Sequence, residues 1–154
     1  MLALMLFHAR TLIATAWVGA LWTTGFIVAP TLFATLSDRA LAGTIAGGLF
    51  RVVAWVSLCC AALLFALLLQ ARRSEQEKPT KCLFYIIIAM ACCTVVGYFA
   101  LQPYMAELRL VLHSVADNAQ LIEARKQFGI LHAISAAIFF AQSLLGVLLM
   151  IKLR

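Results

Sequence analysis

Four long apolar runs constrain the fold of this chain more than any other feature of its sequence. They occupy residues 11–36, 52–71, 83–102 and 128–151, and the chain as a whole is 65% hydrophobic. Each run has about 20 residues or more, and a helix of that length crosses a hydrocarbon core of about 30 Å. Because a backbone in lipid must satisfy its own hydrogen bonds, each run is predicted to be a helix. The chain is therefore predicted to be all-α, with residues 1–154 forming one integral-membrane four-helix bundle.

Residues in and near the connections between the runs predict an amphipathic helix, a helix interruption and a helix cap. Residues 103–127 place apolar side chains at helical spacing and charged residues elsewhere around the wheel. We expect the third helix to bend near Pro103 and to continue as an amphipathic helix outside the membrane. Pro30 is expected to interrupt the regular hydrogen bonding of the first helix, and Ser37 or Asp38 to cap the second.

The lysine and arginine residues favour one orientation across the membrane. Of the 12, five lie on the side of the first and third connections. The other seven lie on the side of the termini and are Arg10, Arg72, Arg73, Lys78, Lys81, Lys152 and Arg154. The positive-inside rule therefore places both termini in the cytoplasm. The net charge of +6 follows from this topology, so the bilayer is the expected partner, with a homo-oligomer or another membrane protein as further alternatives. No nucleic-acid partner is expected.

A polar stripe runs along the last apolar run. His132, Ser135, Gln142 and Gly146 follow one helix face by steps of three and four. Polar groups in lipid are costly unless they find partners, so the stripe is predicted to face the bundle. The candidate partners are Thr11, Thr15, Gly19 and Trp22 on the first helix and Thr94, Tyr98 and Gln102 on the third. Two interpretations stay open: an interhelical hydrogen-bond network that fixes packing, and a ligand or proton site near the outer interface.

Two pairs of adjacent cysteines form a second constellation. Cys59 and Cys60 lie in the second run, and Cys92 and Cys93 lie in the third. Counted from the loop that joins the runs, both pairs are ~16 Å deep. The second and third helices are therefore predicted to be antiparallel neighbours with the pairs within reach of each other. Cysteine is at ease in a helix interface, and thiolates also suit Cu(I), so packing and a metal site are both considered.

Motifs at the two ends of the chain resemble a known family. The first span reads "WVGALWTTGFIVAPTLFATL" and the last opens "FGILHAIS". The residues that match the family pattern are Trp17, Gly19, Phe26, Pro30 and Phe33, and then Phe128, Gly129, Leu131, His132 and Ser135. This pattern resembles the small four-helix membrane proteins related to eukaryotic transmembrane protein 205, whose bacterial members are grouped as a domain of unknown function of the DUF4149 type. The resemblance implies a four-helix fold in a bacterial inner membrane and hints at the handling of soft metals.

A weaker resemblance concerns membrane proteins of the copper-resistance D and HemJ kind. They place a histidine before a Trp-x-Gly in the first helix, which implies a haem ligand here at His8 or His132. His8 lies nine residues before Trp17, and Arg10 stands where the pattern has its histidine.

The motifs of common enzyme classes are absent from the sequence. No Ser/His/Asp or paired-carboxylate arrangement lies within the runs, and no nucleotide-binding loop is present. The leading hypothesis is a non-enzymatic membrane module that needs no cofactor and that binds or moves a small ligand, or supports a membrane partner. The alternative is a haem- or copper-binding membrane redox protein.

Overall fold

The described part of the chain is helical almost throughout. The computed structural model describes residues 2–73, 80–114 and 118–153. The helices in chain order are α1 (Leu2–Trp22), π1 (Thr23–Val28), α2 (Ala29–Thr35), α3 (Arg39–Arg73), α4 (Lys81–Thr94), π2 (Val95–Ala100), α5 (Leu101–Ser114) and α6 (Asn118–Lys152). They form four segments: α1, π1 and α2 together; α3; α4, π2 and α5 together; and α6. All four contain a stretch long and apolar enough to cross a membrane, which confirms the predicted all-α membrane bundle.

Neighbouring segments in the chain are neighbours in the bundle. Helix α3 packs against α1 and α4, and α6 packs against α1 and α4. Ring contacts fix the register of the second and third segments: Phe65 meets Phe84 at 5.2 Å between centroids, and Trp55 meets Phe99 at 5.7 Å. Because residue numbers fall along α3 as they rise along the third segment, the two segments run antiparallel. This part of the cysteine prediction is confirmed.

In the described helices, each of the two prolines follows a π-helical stretch. Pro30 comes two residues after π1, and Pro103 comes three residues after π2. Proline has no backbone N–H and its ring crowds the carbonyl four residues earlier, so the α-helical bonding pattern cannot continue there. The chain shifts instead to bonds over five residues, in which the N–H of Ala29 donates to the carbonyl of Thr24 and that of Leu101 to the carbonyl of Val96. The predicted interruption at Pro30 is confirmed.

The third segment does not stop at Pro103. Helix α5 continues it to Ser114 and packs along α6. Helices α3 and α6 have 35 residues each, and a helix of that length measures about 52 Å. A hydrocarbon core of about 30 Å leaves roughly 20 Å of each outside it. The placement of α5 outside the membrane stays a prediction that agrees with these lengths.

Asp38 caps the second segment. Its Oδ1 accepts hydrogen bonds from the backbone N–H groups of Ala40, at 2.8 Å, and Leu41, at 3.2 Å. An aspartate at this position satisfies N–H groups that have no partner within the helix. The predicted cap is confirmed for Asp38, and it fixes Arg39 as the first residue of α3.

One half of the bundle, which we call the closed half, is tightly packed. It is the half nearer to Leu2 and Leu153, and it includes a buried apolar cluster that all four segments contribute to. The cluster comprises Ala14, Trp17, Leu21, Val53, Ala61, Leu64, Leu68, Leu83, Ile86, Ile87, Met90 and Leu149. Gly146 permits close approach here, because a Cβ atom at this position would lie 3.1 Å from Val18 Cγ2 and 3.5 Å from Met90 Cε.

Candidate functional site

The opposite half of the bundle, which we call the open half, encloses a cavity of about 1130 Å³. Its walls come from the end of α1, from π1 and α2, from α3 as far as Ser57, from the end of α4, from π2 and α5, and from α6 between Arg125 and Gln142. Pockets for small molecules have volumes of about 300–1,000 Å³, so this cavity is large enough for a ligand with a long apolar part. Both π-helical stretches lie in its wall, as is common for π-helical turns at functional sites.

Three arginines from three different helices line one end of the cavity, which we call the mouth. They are Arg39 at the start of α3, Arg109 on α5 and Arg125 on α6. They line the same cavity although they are far apart in sequence, and Arg39 lies eight residues, about 12 Å along α3, beyond Gly47, which is next to Arg109. Among the described residues that line the cavity there is no aspartate or glutamate. The mouth is therefore strongly cationic.

Arg109 lies against two neighbouring helices. Its Cζ atom is 5.5 Å from the centroid of the Phe128 ring on α6, in a cation–π arrangement. On the other side, Nη1 would lie only 3.3 Å from a Cβ atom at Gly47, and Gln102 Nε2 would lie 3.4 Å from it. Because Gly47 has no side chain, the side chains of Arg109 and Gln102 can occupy the space next to it. Among the described residues, the guanidinium has no hydrogen-bonded or ionic partner.

Three polar residues line the inner end of the cavity, which we call the floor. Gln142 Nε2 donates to Thr94 Oγ1 at 2.9 Å, and both side chains are buried. Thr94 Oγ1 donates in turn to the carbonyl of Met90 at 3.1 Å. Ser57 is 1% exposed, and its Oγ has no hydrogen-bond partner among the described residues. Buried hydroxyl groups nearly always have a partner, so Ser57 is a polar group that a ligand at the floor would satisfy.

Aromatic rings form the wall between the mouth and the floor. The Phe139 ring lies against Gly25 in π1, meets Phe50 at 5.4 Å between centroids, and meets Phe26 at 6.4 Å. Phe140 also meets Phe26, at 6.4 Å. The cavity therefore changes from cationic at the mouth to apolar in the middle and to uncharged polar at the floor.

The predicted stripe on α6 becomes more exposed toward the mouth. Gln142 and Gly146 are buried, Ser135 is half-buried, and His132 is exposed. Around the open-half cavity this face of α6 borders the cavity rather than a packed cluster, so its side chains are more exposed there. Ser135 and His132 both line the cavity, and the His132 ring stacks on Phe128 with 6.1 Å between centroids and 9° between planes.

The predicted partners of the stripe fall into two groups. Thr94, Tyr98 and Gln102 line the cavity, and Thr94 is hydrogen-bonded to Gln142. The four candidates on the first helix, Thr11, Thr15, Gly19 and Trp22, are not part of the lining. Trp22 Nε1 donates instead to the backbone carbonyl of Ser143 at 3.3 Å. The cavity thus brings together five of the six residues predicted for the ligand or polar network, and their role in binding stays a prediction.

The two histidines considered for haem lie at opposite ends of the bundle. His8 is on α1 in the closed half, where Nδ1 donates to the carbonyl of Leu4 at 2.6 Å. His132 is in the cavity lining. The contact of Trp22 with Ser143 sets the level of α1 against α6, and helix rise then separates the two histidines by about 35 Å along the bundle. A single haem iron cannot bind both, so each histidine stays a separate prediction.

The cysteine pairs share one level, between the two ring contacts of α3 with the third segment. Cys59 and Cys92 are exposed, and Cys60 and Cys93 are half-buried. Cys60 packs against the apolar cluster, whereas Cys93 lines the cavity. Among the described residues, no group of three or more His, Cys, Asp or Glu is placed to hold a metal ion. A copper site at the pairs stays a prediction.

The cationic mouth is not evident from the sequence. There Arg39, Arg109 and Arg125 indicate only the topology, because their convergence depends on the register of three helices. Nothing in the sequence marks Ser57 either. One usable signal was that all three arginines fall on the same side of the predicted membrane.

One family model matches the chain, and its description is a domain of unknown function (DUF4149). The match covers residues 12–114, which include Arg39, Arg109 and both π-helical stretches and end before Arg125 and the His132 motif. No curated protein and no solved structure matches the chain. The relationship to transmembrane protein 205, and the weaker one to copper-resistance D and HemJ proteins, stay predictions. Because the match covers more than half of its length, the chain belongs to the DUF4149 family.

Proposed function

We propose that this chain is a non-enzymatic multi-pass membrane protein that binds a small ligand in the open-half cavity. The single observation that carries the proposal is the cavity itself: about 1130 Å³, lined by a few convergent polar groups in otherwise apolar walls. That combination is typical of small-molecule sites. Ser57 supports the proposal, because its buried hydroxyl has no partner among the described residues.

The closed half favours binding over conduction. Trp17, Leu64 and Met90 are fully buried in the apolar cluster, and close packing of such apolar side chains opposes a water-filled path beyond the floor. This arrangement favours a pocket that is closed at its inner end. A transport role requires that the closed half open, whereas a binding role requires only the pocket as it stands.

The proposal includes an orientation in the bacterial inner membrane. The seven lysine and arginine residues near the termini favour termini in the cytoplasm, and the mouth then faces the extracytoplasmic side. The orientation is tested by whether an impermeant thiol reagent added outside the cell reaches Cys93 in the cavity.

Filling the cavity is expected to remove the ligand. Gly43 lines the cavity, and a Cβ atom there would have no neighbour within 4 Å. A Gly43→Phe side chain therefore has room to enter the cavity without straining the bundle. We expect small molecules that copurify with the wild-type chain, identified by mass spectrometry of an organic extract, to be lost from Gly43→Phe.

The chain offers a matched control at Gly48. It lies on the same helix, is exposed, has no neighbour within 4 Å of its Cβ position, and does not line the cavity. Gly48→Phe is expected to retain the wild-type amount of bound molecule. Equal amounts of the same molecule in both phenylalanine variants, each with a normal thermal transition, would contradict a ligand site in this cavity.

A further inference from the structure

We infer that the ligand of the open-half cavity is a membrane lipid with an anionic head group, held with its head group at the mouth and its acyl chain between the aromatic walls. This inference rests on the proposed function and adds the chemical class of the ligand. It depends on the charge, the exposure and the dimensions of the cavity.

Charge selects an anion. Arg39, Arg109 and Arg125 line the mouth with no acidic side chain among the described lining residues. Asp38 is next to Arg39 in sequence, but it is not part of the lining and its Oδ1 caps α3. Arginine presents five N–H donors in a planar fork that matches phosphate and carboxylate oxygens. Three such groups without acidic partners in the lining favour a negatively charged head group.

The Arg109 guanidinium is already positioned for such a group. Phe128 lies on one side of it and the backbone at Gly47 on another, so its rotamer is restricted before any ligand arrives. It is half-buried and, among the described residues, has no hydrogen-bonded or ionic partner. A preorganised donor gives up little conformational freedom on binding, which strengthens its interaction with an anion.

The exposed apolar residues in the cavity wall favour a lipid over a soluble anion as the ligand. Phe26, Phe33 and Phe140 line the cavity, each is also 40% or more exposed, and each lies in a segment apolar enough to cross a membrane. The bundle therefore does not seal this wall, and we expect an acyl chain to reach it from the bilayer without crossing water. A soluble anion would gain nothing from these apolar groups.

The length of the cavity suits one leaflet. On α6 the mouth residue Arg125 and the floor residue Gln142 are 17 positions apart, which is about 25 Å along a helix. Half of a hydrocarbon core of about 30 Å, together with part of the head-group layer, has similar depth. A lipid of one leaflet therefore reaches from the arginines to the polar floor.

A lipid titration tests the inference. The purified chain is freed of lipid in a neutral detergent and titrated with phosphatidylglycerol, with phosphatidylcholine of the same acyl chains, and with inorganic phosphate. Native mass spectrometry counts the complexes. We expect one saturable phosphatidylglycerol, bound at least about tenfold more tightly than phosphatidylcholine, because phosphatidylcholine carries the same phosphate but adds a quaternary ammonium that the arginines repel. We expect Gly43→Phe to abolish this binding.

Charge-removing variants provide the specific controls. Arg109→Gln and Arg125→Gln are each expected to weaken phosphatidylglycerol binding about tenfold, and Arg125 is exposed, so its replacement leaves the packing intact. Arg51→Gln removes the same charge from an exposed position on α3 that does not line the cavity, and it is expected to bind as the wild type does.

The possible failures separate the two proposals. If both lipids bind equally and Gly43→Phe blocks both, the anionic class is wrong while the ligand cavity stands. If inorganic phosphate binds as tightly as phosphatidylglycerol, the assignment to a lipid is wrong. If Arg51→Gln weakens binding as much as Arg109→Gln does, the mouth is not the head-group site. If Gly43→Phe blocks neither lipid, this inference and the cavity's role in lipid binding both fail.

Discussion

Truncation of Leu64 to alanine is expected to lower the free energy of unfolding by about 2 kcal/mol or more. Leu64 is fully buried in the apolar cluster of the closed half, which all four segments contribute to. In lipid the transfer of a leucine side chain from bilayer to protein gains little, because acyl chains are equally apolar. The loss comes from van der Waals contacts around the space that the side chain vacates.

The neighbouring residue provides the control for this prediction. Leu63 has the same chemistry and lies on the same helix, but it is 54% exposed and faces lipid in a membrane. Leu63→Ala is expected to change stability by less than about 0.5 kcal/mol. The measurement is reversible unfolding of the chain in lipid bicelles. Equal losses at both positions would mean that the closed half is not packed as described.

Replacement of Gly25 by alanine is expected to destabilise the bundle by about 1–3 kcal/mol. A Cβ atom at Gly25 would lie inside the van der Waals envelope of the Phe139 ring, 2.8 Å from Cζ and closer still to Cε1. Phe50 and Phe26 lie against the ring, so it can make room only by turning toward the cavity and giving up these contacts. The added methyl group therefore displaces α6 from π1 or forces the ring into a strained position.

Replacement of Gly19 by alanine, in the same segment, is expected to have the opposite effect on stability. A Cβ atom there would have no neighbour within 4 Å, and alanine is preferred over glycine inside a helix by roughly 0.5–1 kcal/mol. Gly19→Ala is thus expected to raise the thermal midpoint and Gly25→Ala to lower it. The double variant Gly25→Ala/Phe139→Leu is expected to recover part of the loss, because the smaller side chain leaves room for the methyl group. Shifts of the same sign in both alanine variants would refute the contact.

Features that depend on local chemistry could be read from the sequence. The apolar runs gave the four segments, since their length and composition leave a helix as the form they take in lipid. The cap at Asp38 and the interruption at Pro30 also follow from single residues. The π-helical stretch before Pro103 was not predicted, because periodicity arguments assume the α-helical repeat and place the disturbance at the proline itself.

The cavity could not be predicted, since it is a property of the register between helices. Arg39, Arg109 and Arg125 line one mouth because Gly47 leaves space beside α3 for the tip of the Arg109 side chain and Phe128 supports that side chain from α6. The spacing of residues within a single helix does not predict that these three arginines converge. The polar stripe identified the face of α6 that lines the cavity. It did not predict that His132 on this face is exposed whereas Gln142 and Gly146 are buried.

The central claim is that a cationic cavity opens on the face opposite the termini and reaches the level of Cys93. Single-cysteine chains in spheroplasts test this claim, with Cys93 or Cys60 retained and the other cysteines replaced by alanine. Both thiols are half-buried at one level, but only Cys93 lines the cavity. We expect Cys93 to react with an impermeant anionic methanethiosulfonate added outside, faster than with a cationic one, and Cys60 to stay unlabelled. Equal rates at the two cysteines, or labelling of Cys93 only after the membrane is permeabilised, would contradict the account.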